Sequence, residues 1–534
     1  MQHLNLITRR RFLDRSMKVG LATALATLTD IPLVMKRALA EGVIGKNKKK
    51  LLFIFLRGAN DGLNSVIPVG DPSYVTARPS IKIPFDPGTD YTANGACDLP
   101  IGTAASPTFG YGNAIRSGNG FAALHPSLKF LAPLYNSGDL ALVHRVGYPK
   151  QSRSHFDSQN YWETGNPNNN AIKDGIFYRT MIESGLANTS PLTGVSIQSS
   201  LPLSLRGSQA AMTNLNDPTR YNLLGIPNDD AGNSKADSIL RAANASPFPE
   251  KMNRDLLALQ YGNLSDTLSI FSKLNFSTEG NTFRDVGNTD GDTAPYYLFP
   301  DSNAKNGGYA LHSNDAQKYV VDPGSYDFFR KLKSAALILN NTDAIVAGTE
   351  LGGFDTHSNQ GVLTGPHPRL QRSIGWAMYA LKQYFTNYAD KATWENMVVI
   401  TLSEFGRTSK ENSDDGTDHA EAGVMFIAGG GVKGYNKGNK SGVFGCSPAD
   451  FYNGQSVAWK TGDTGSMFGA SSRYLQRAVD YRSVLGEIIR DHLGATQEQL
   501  NRIIPGYAVT GEALRTGGIS TKDGIRIAGE LGLI

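Results

Sequence analysis

The sequence predicts an α/β fold, a mostly parallel sheet sandwiched by helices, and three observations predict it. Continuous apolar runs recur without polar alternation, as strands buried on both faces require. Helical patterns of 3.6-residue period lie between them. Polar clusters rich in glycine sit beside the runs, and in such sheets ligands bind beyond the carboxyl ends of the strands.

Taken in order, the first strand is Leu51-Leu52-Phe53-Ile54-Phe55-Leu56, closed by Arg57-Gly58-Ala59-Asn60-Asp61-Gly62. A helix is expected over residues 126–135, with Pro126 near its first position and Gly138 past its end. Leu140-Ala141-Leu142-Val143 is the next strand and runs up to His144. Residues 156–163 suit a short helix, with Ser152 or Ser154 at its N-cap. The stretch from about 200 to 320 is rich in Asn, Ser, Asp and Gly, with helical pieces at 237–243 and 253–274, and reads as an insertion or cap on the main sheet. A helix over 326–339 follows Ser325, and the strand Ala344-Ile345-Val346-Ala347 follows that helix. A longer helix over 369–388 leads to a strand at 397–402 that runs into Ser403-Glu404. The strand at 424–428 precedes three glycines, and a helix over 481–493 completes the pattern. No period of solenoid or propeller length is present.

The chain has 534 residues, 40% hydrophobic and 58 of them glycine. This composition excludes disorder, coiled coil and fibre, and suits a loop-rich globular body. No apolar run reaches the roughly 18 to 20 residues of a membrane span, so the mature protein is expected to be soluble. The formal charge of +4 is concentrated at the N-terminus. Residues 1–40 hold Arg9, Arg10, Arg11, Arg15, Lys18, Lys36 and Arg37 against Asp14 and Asp30, leaving 45 basic and 46 acidic side chains beyond them. A body of net charge −1 lacks the basic footprint of a nucleic-acid-binding protein.

Arg9-Arg10-Arg11-Phe12-Leu13, a weakly apolar stretch over 19–28 and Ala38-Leu39-Ala40 make a basic start, an apolar centre and a small-residue cleavage site. Residues 1–40 therefore read as a signal peptide resembling the twin-arginine type, with the twin-arginine export machinery as a partner and a periplasmic or secreted destination. The remaining domain spans 41–534. Only Cys97 and Cys446 are present, 349 positions apart, so a metal would be held by histidines and carboxylates.

The candidate ligands lie at strand ends. Asp61 follows the first strand, Asp355 and His357 follow the strand at 344–347, Glu404 and Arg407 follow the strand at 397–402, and Asp418-His419 precede the strand at 424–428. Singly, Asp61 reads as a turn residue, Asp418 as a cap and His357 as a loop histidine. Together they make a nitrogen and oxygen set suited to a divalent metal, zinc first, then manganese or calcium. Ser154, at a helix N-terminus in Ser152-Arg153-Ser154-His155-Phe156-Asp157, is a candidate nucleophile; the alternative is a simple N-cap, with Arg153 and His155 on the surface.

Residues 55–61, 153–165, 352–360, 403–408 and 416–419 together resemble the domain-of-unknown-function family 1501, over roughly residues 50 to 500. That family is similar to the alkaline phosphatase and sulfatase superfamily. The resemblance implies an alkaline-phosphatase-like sheet with a metal-dependent site at its carboxyl edge. It implies Asp61, Glu404, Asp355, His357 and His419 as metal ligands, Ser154 as nucleophile and Arg407 as holder of the ester's anionic oxygens. The chain departs from the phosphatase pattern at Phe405, where a histidine usually follows the acid, and in the one-residue separation of Asp355 and His357. It also lacks the sulfatase Cys-x-Pro-x-Arg motif.

The expected function is that of an exported, metal-dependent hydrolase of a phosphate or sulfate ester, with a small anionic ester as substrate. The second reading is a non-catalytic envelope binding or assembly protein that keeps the fold.

Overall fold

Six consecutive apolar residues leave no polar face, and the strand they build, β1 (Lys50–Arg57), lies inside a nine-stranded sheet. The computed structural model describes residues 44–45, 47–85, 113–186, 192–210, 212–218, 321–438, 440–452, 454–459, 473–509 and 511–534, with isolated positions between 235 and 301. The other strands of this sheet are β2 (Leu140–Gly147), β3 (Gly194–Ile197), β4 (Thr213–Leu215), β5 (Val346–Gly352), β6 (Met397–Leu402), β7 (Gly423–Ala428), β8 (Val443–Phe444) and β9 (Val479–Asp480). Their order is β8-β2-β7-β6-β1-β5-β3-β4, with β9 also on β2. All pairings are parallel except those of β7, which runs antiparallel to both β6 and β2.

Side chains alternate across β1 into two cores. Leu52, Ile54 and Leu56 pack on one face with residues of α3 (Tyr326–Asn341) and α4 (Pro366–Asn387). Leu51, Phe53 and Phe55 pack on the other with α1 (His155–Thr164), α2 (Ile176–Glu183), α5 (Tyr481–Glu487) and α6 (Gln497–Ile503). Helices thus cover both faces, as the unbroken apolar runs require.

Several elements differ from the sequence expectation. The helix expected over 126–135 is a 3-10 segment, Pro126–Leu131, followed by a short helix, Ala132–Asn136. Pro133 has no N–H to continue a ladder from Pro126, so the helix restarts with Pro133 in its first turn. β2 runs past Val143 through His144 and Arg145, whose polar atoms are met by Val66 O and Gly445 O, so His144 lies inside the strand rather than at its end. The last expected helix changes after α5 into a π turn, Ile488–His492, with Leu493 N donating to Ile488 O.

Residues 213–215, at the start of the stretch read as a cap, form β4 at the sheet edge. The helical pieces at 237–243 and 253–274 lie almost wholly outside the described residues, as do the signal segment at 1–40 and Cys97. Cys446 is buried. No helix among the described residues is long and apolar enough to cross a membrane.

Parallel β1, β2, β5 and β6 all deliver their following loops to one edge of the sheet, and antiparallel β7 starts from that same edge. Residues 58–61, 148–155, 353–357, 403–407 and 418–419 therefore meet there.

Candidate metal centre at the carboxyl edge of the sheet

The turn after β6 is stitched to the one after β1. Ser403 Oγ donates to Leu56 O and accepts from Asn60 N, at 3.1 and 3.0 Å. Next to it Glu404 is fully buried, and one carboxylate oxygen collects three donors: Gly58 N at 2.8 Å, His155 Nδ1 at 2.8 Å and Gln159 Nε2 at 3.2 Å. Burial pushes this carboxyl up, but these hydrogen bonds outweigh it and hold it below the usual carboxylate range. His155 and Gln159 both reach it because they stand one turn apart on α1, hence on one face. Ser154 caps that helix, its hydroxyl accepting from Asp157 N at a long 3.4 Å.

Three imidazoles meet in front of Glu404, and each has an acceptor at Nδ1. His155 donates to Glu404, His419 to Arg153 O at 3.0 Å, and His357 to Asp418 Oδ1 at 3.3 Å. In a neutral ring whose proton sits on Nδ1, the lone pair is on Nε2. These nitrogens nonetheless face one another: His155 Nε2 is 3.1 Å and His357 Nε2 3.0 Å from His419 Nε2. The Asp355 carboxylate joins them, 3.2 Å from His419, 3.1 Å from His357 and 3.5 Å from His155. Lone pairs and a carboxylate packed in this way repel unless a metal ion, or an added proton on one ring, sits between them. Ligands about 2.0 to 2.1 Å from a tetrahedral ion are about 3.3 Å apart, and His155, Asp355 and His419 stand 3.1 to 3.5 Å from one another. His155, Asp355 and His419 form a mutually close group of ligand atoms, and His357 approaches its Asp355–His419 edge.

The electrostatics follow from these contacts. Burial raises Asp355, but the Arg407 hydrogen bond and charge hold its carboxyl below the usual range. The Glu404 hydrogen bond raises His155, whereas burial lowers His419 despite Asp355. Phe405 packs its ring 4.8 Å from both His155 and His419 and floors the site.

Glycines at this edge let backbones approach one another rather than a ligand. A Cβ on Gly406 would stand 1.9 Å from Ala422 O, and that contact accompanies the Arg407–His419 bridge. A Cβ on Gly416 would stand 2.2 Å from His357 O.

Asp355, His357 and His419 thus share one site, with Glu404 placed behind His155. The two other charged residues expected there are engaged elsewhere. Asp61 is fully buried and accepts from Arg78 Nη1 at 2.6 Å, Arg78 Nη2 at 3.0 Å, Gln360 Nε2 at 2.7 Å and Leu63 N at 3.2 Å. Burial favours its neutral form, but the Arg78 guanidinium outweighs this and holds the carboxyl at about 2. Arg407 is also buried, donating to Ala59 O, Gly58 O, Thr417 O and Phe354 O and to Asp355 Oδ1 at 2.5 Å. It therefore ties four loop carbonyls together and fixes Asp355, with no face left for a substrate.

Residues 315–444 match the family described as Protein of unknown function (DUF1501). The match covers Asp355, His357, Glu404, Arg407 and His419 and stops short of His155, Ser154 and Asp61. No curated protein matches the chain.

His155 is the candidate ligand that sequence reasoning missed. It has no glycine neighbour, the feature shared by the other clusters, but it does open the helix that follows the loop beyond the carboxyl end of β2. Gln360 was missed too. Its Oε1 accepts from Thr356 Oγ1 and Thr417 Oγ1 at 3.0 and 2.9 Å while its Nε2 donates to Asp61. One amide thereby joins the loops carrying Asp355 and His419 to the buried ion pair beneath.

Proposed function

We propose that the protein is an exported, divalent-metal-dependent hydrolase of a phosphate or sulfate ester. The observation that carries this reading is the convergence of the three imidazole Nε2 atoms on Asp355 with every Nδ1 engaged behind. Imidazole nitrogens beside a single carboxylate suit zinc or manganese and do not suit calcium, which takes oxygen ligands. His155, Asp355 and His419 would hold the ion, with His357 beside them; Glu404, Asp418 and Arg153 O orient the imidazoles. Asp355 is 46% exposed, so the ester can reach the site from the solvent side. A bound ion would supply Lewis-acid polarisation of an ester oxygen and stabilise the charge that develops there.

The chain's own contribution starts at Ser154, directly before His155, whose hydroxyl is only loosely engaged as a cap. It is the candidate nucleophile: its oxygen would bond to phosphorus or sulfur as the ester's own P–O or S–O bond breaks, the serine proton leaving to solvent and the alcohol departing. Water would then hydrolyse the seryl ester to free the anion and restore Ser154. Glu404 keeps the His155 Nδ1 proton in place, so the same imidazole cannot serve as base through that atom. The alkaline-phosphatase-like assignment of the sheet and the division into a leader at 1–40 and one domain at 41–534 belong to this proposal. A second reading, a metal-binding envelope protein without turnover, is favoured by Arg407, which is too fully bonded to hold an anion.

The test is to purify the mature chain from the periplasmic fraction, measure its metal, and assay aryl phosphates and sulfates with the wild type and Ser154→Ala. We expect about one zinc or manganese per chain, and activity that Ser154→Ala loses with its metal retained. Absence from that fraction would overturn the export proposal. A metal-loaded but inert protein would leave the binding-protein reading, and an active Ser154→Ala would move the attack to Ser152 or water.

A further inference from the structure

We infer that the rim of this site recognises an aryl oxyanion ester, its anionic head met by Arg153 and Arg473 and its ring by Phe156. The inference rests on the hydrolase reading above and names the substrate class of the same site.

Two arginines are linked to the imidazoles on their Nδ1 side. Arg153 offers its carbonyl to His419 Nδ1 at 3.0 Å, and its guanidinium lies 3.7 Å over the Tyr474 ring. Arg473 lies 5.9 Å from the same ring and donates to Asp418 Oδ2 at 2.6 Å, while the other oxygen of Asp418 takes the His357 proton. Arg153 thus bonds His419 through its own backbone, and Arg473 is one bonded residue, Asp418, away from His357. Both are open to solvent, at 40% and 55%, and so are their partners Glu421 and Asp418. Ion pairs this exposed contribute little and exchange readily for a better anion. A planar guanidinium offers two parallel donors to two oxygens of a tetrahedral head group. Arg407, the nearest cation, cannot do this, because its donors are committed to the loops.

The aromatic part follows from Phe156. Single exposed apolar residues are ordinary on protein surfaces. Phe156 differs by its place, directly after His155 on the first turn of α1, and by its exposure of 83%, above Phe451, Val509 and Ile519 among the described residues. An aromatic ring standing free beside a polar site can pack edge or face against the ring of an aryl ester held by its anionic head.

The test uses ligands that cannot be hydrolysed, so it needs no turnover. Calorimetry on the zinc-loaded mature chain compares phenylphosphonate with methylphosphonate, and benzenesulfonate with methanesulfonate; the tighter pair tells a phosphate from a sulfate head. The aryl member of that pair should bind about two- to tenfold tighter. Phe156→Ala should abolish that preference. Arg153→Ala with Arg473→Ala should weaken both members by at least about tenfold while zinc content holds. Arg153→Ala alone, which leaves the carbonyl for His419, keeps the measurement readable should the double variant lose zinc.

Equal affinity for aryl and methyl ligands, or Phe156→Ala binding like wild type, would overturn the inference while leaving the metal site intact. A zinc-loaded protein that shows the aryl preference but cleaves no ester would remove the hydrolase reading and leave the rim. A wild type that takes up no zinc would remove both.

Discussion

His155 is held from behind by a carboxylate that has almost no water around it. Glu404 is fully buried and keeps the His155 proton on Nδ1, which turns the lone pair on Nε2 toward Asp355 and His419. Glutamine at 404 keeps the shape but gives up the charge that makes His155 a stronger donor to a metal. Glu404→Gln should therefore weaken zinc binding about 10- to 100-fold, read by competition with a chelator. An affinity equal to wild type would mean that Glu404 does not orient the ring, and a loss as complete as in His155→Ala would mean that it binds the ion directly. At this scale the sequence carried the residue types but not their partners. Asp355, His357 and His419 could be picked out because each stands at a strand end, and a mostly parallel sheet collects such ends on one edge. What Asp61 and Arg407 do could not be read, because it depends on Arg78, Gln360 and loop carbonyls distant in the chain.

At the scale of elements, the unbroken apolar runs made β1 and β6 legible, because full burial on both faces removes the polar alternation that would blur them. The reversed direction of β7 was not legible, since its composition matches that of its parallel neighbours and only its pairing with β6 and β2 reveals it. That reversal is what brings His419 to the edge before the strand rather than after it. Beneath the edge, Asp61 and Arg78 form a fully buried pair that Gln360 links to the loops after β5 and before β7. Asp61→Asn leaves the Arg78 charge buried and poorly matched, a change that typically costs about 3–5 kcal/mol. The variant should lose stability of that order, measured from the denaturant midpoint, yet bind its metal with wild-type stoichiometry when folded. A variant of wild-type stability that binds no metal would instead make Asp61 a ligand.

At the scale of the whole molecule, four histidines among the described residues lie outside the site and are buried as neutral rings. His125 accepts from Ser127 N and donates to Val362 O, His144 accepts from Arg145 N and donates to Val66 O, and His492 donates to Lys50 O. His367 accepts from Gln371 Nε2. Burial pushes His125 and His144 down to about 3, and His367 and His492 down to about 4. In the unfolded chain the same rings titrate near about 6.5. Between these values the unfolded state binds protons that the folded state refuses, so stability falls as pH drops below about 6.5, and continues to fall until the folded rings titrate near 3 to 4. Asp61, held at about 2 by Arg78, loses its contribution in the same direction as the pH approaches that value. Asp450, raised by burial to about 7, works the other way, because the folded state then holds the proton more tightly than the unfolded one. The four histidines outweigh Asp450 and Glu487, whose carboxyl burial also raises, so the thermal midpoint of the metal-free chain should decline steadily from about pH 6.5 to about pH 4. His144→Asn offers Arg145 N an amide oxygen in place of Nδ1 and has no proton to gain in this range. It should flatten that decline even though its smaller side chain lowers stability at pH 8. A slope unchanged in His144→Asn would show that the acid sensitivity does not arise from this ring.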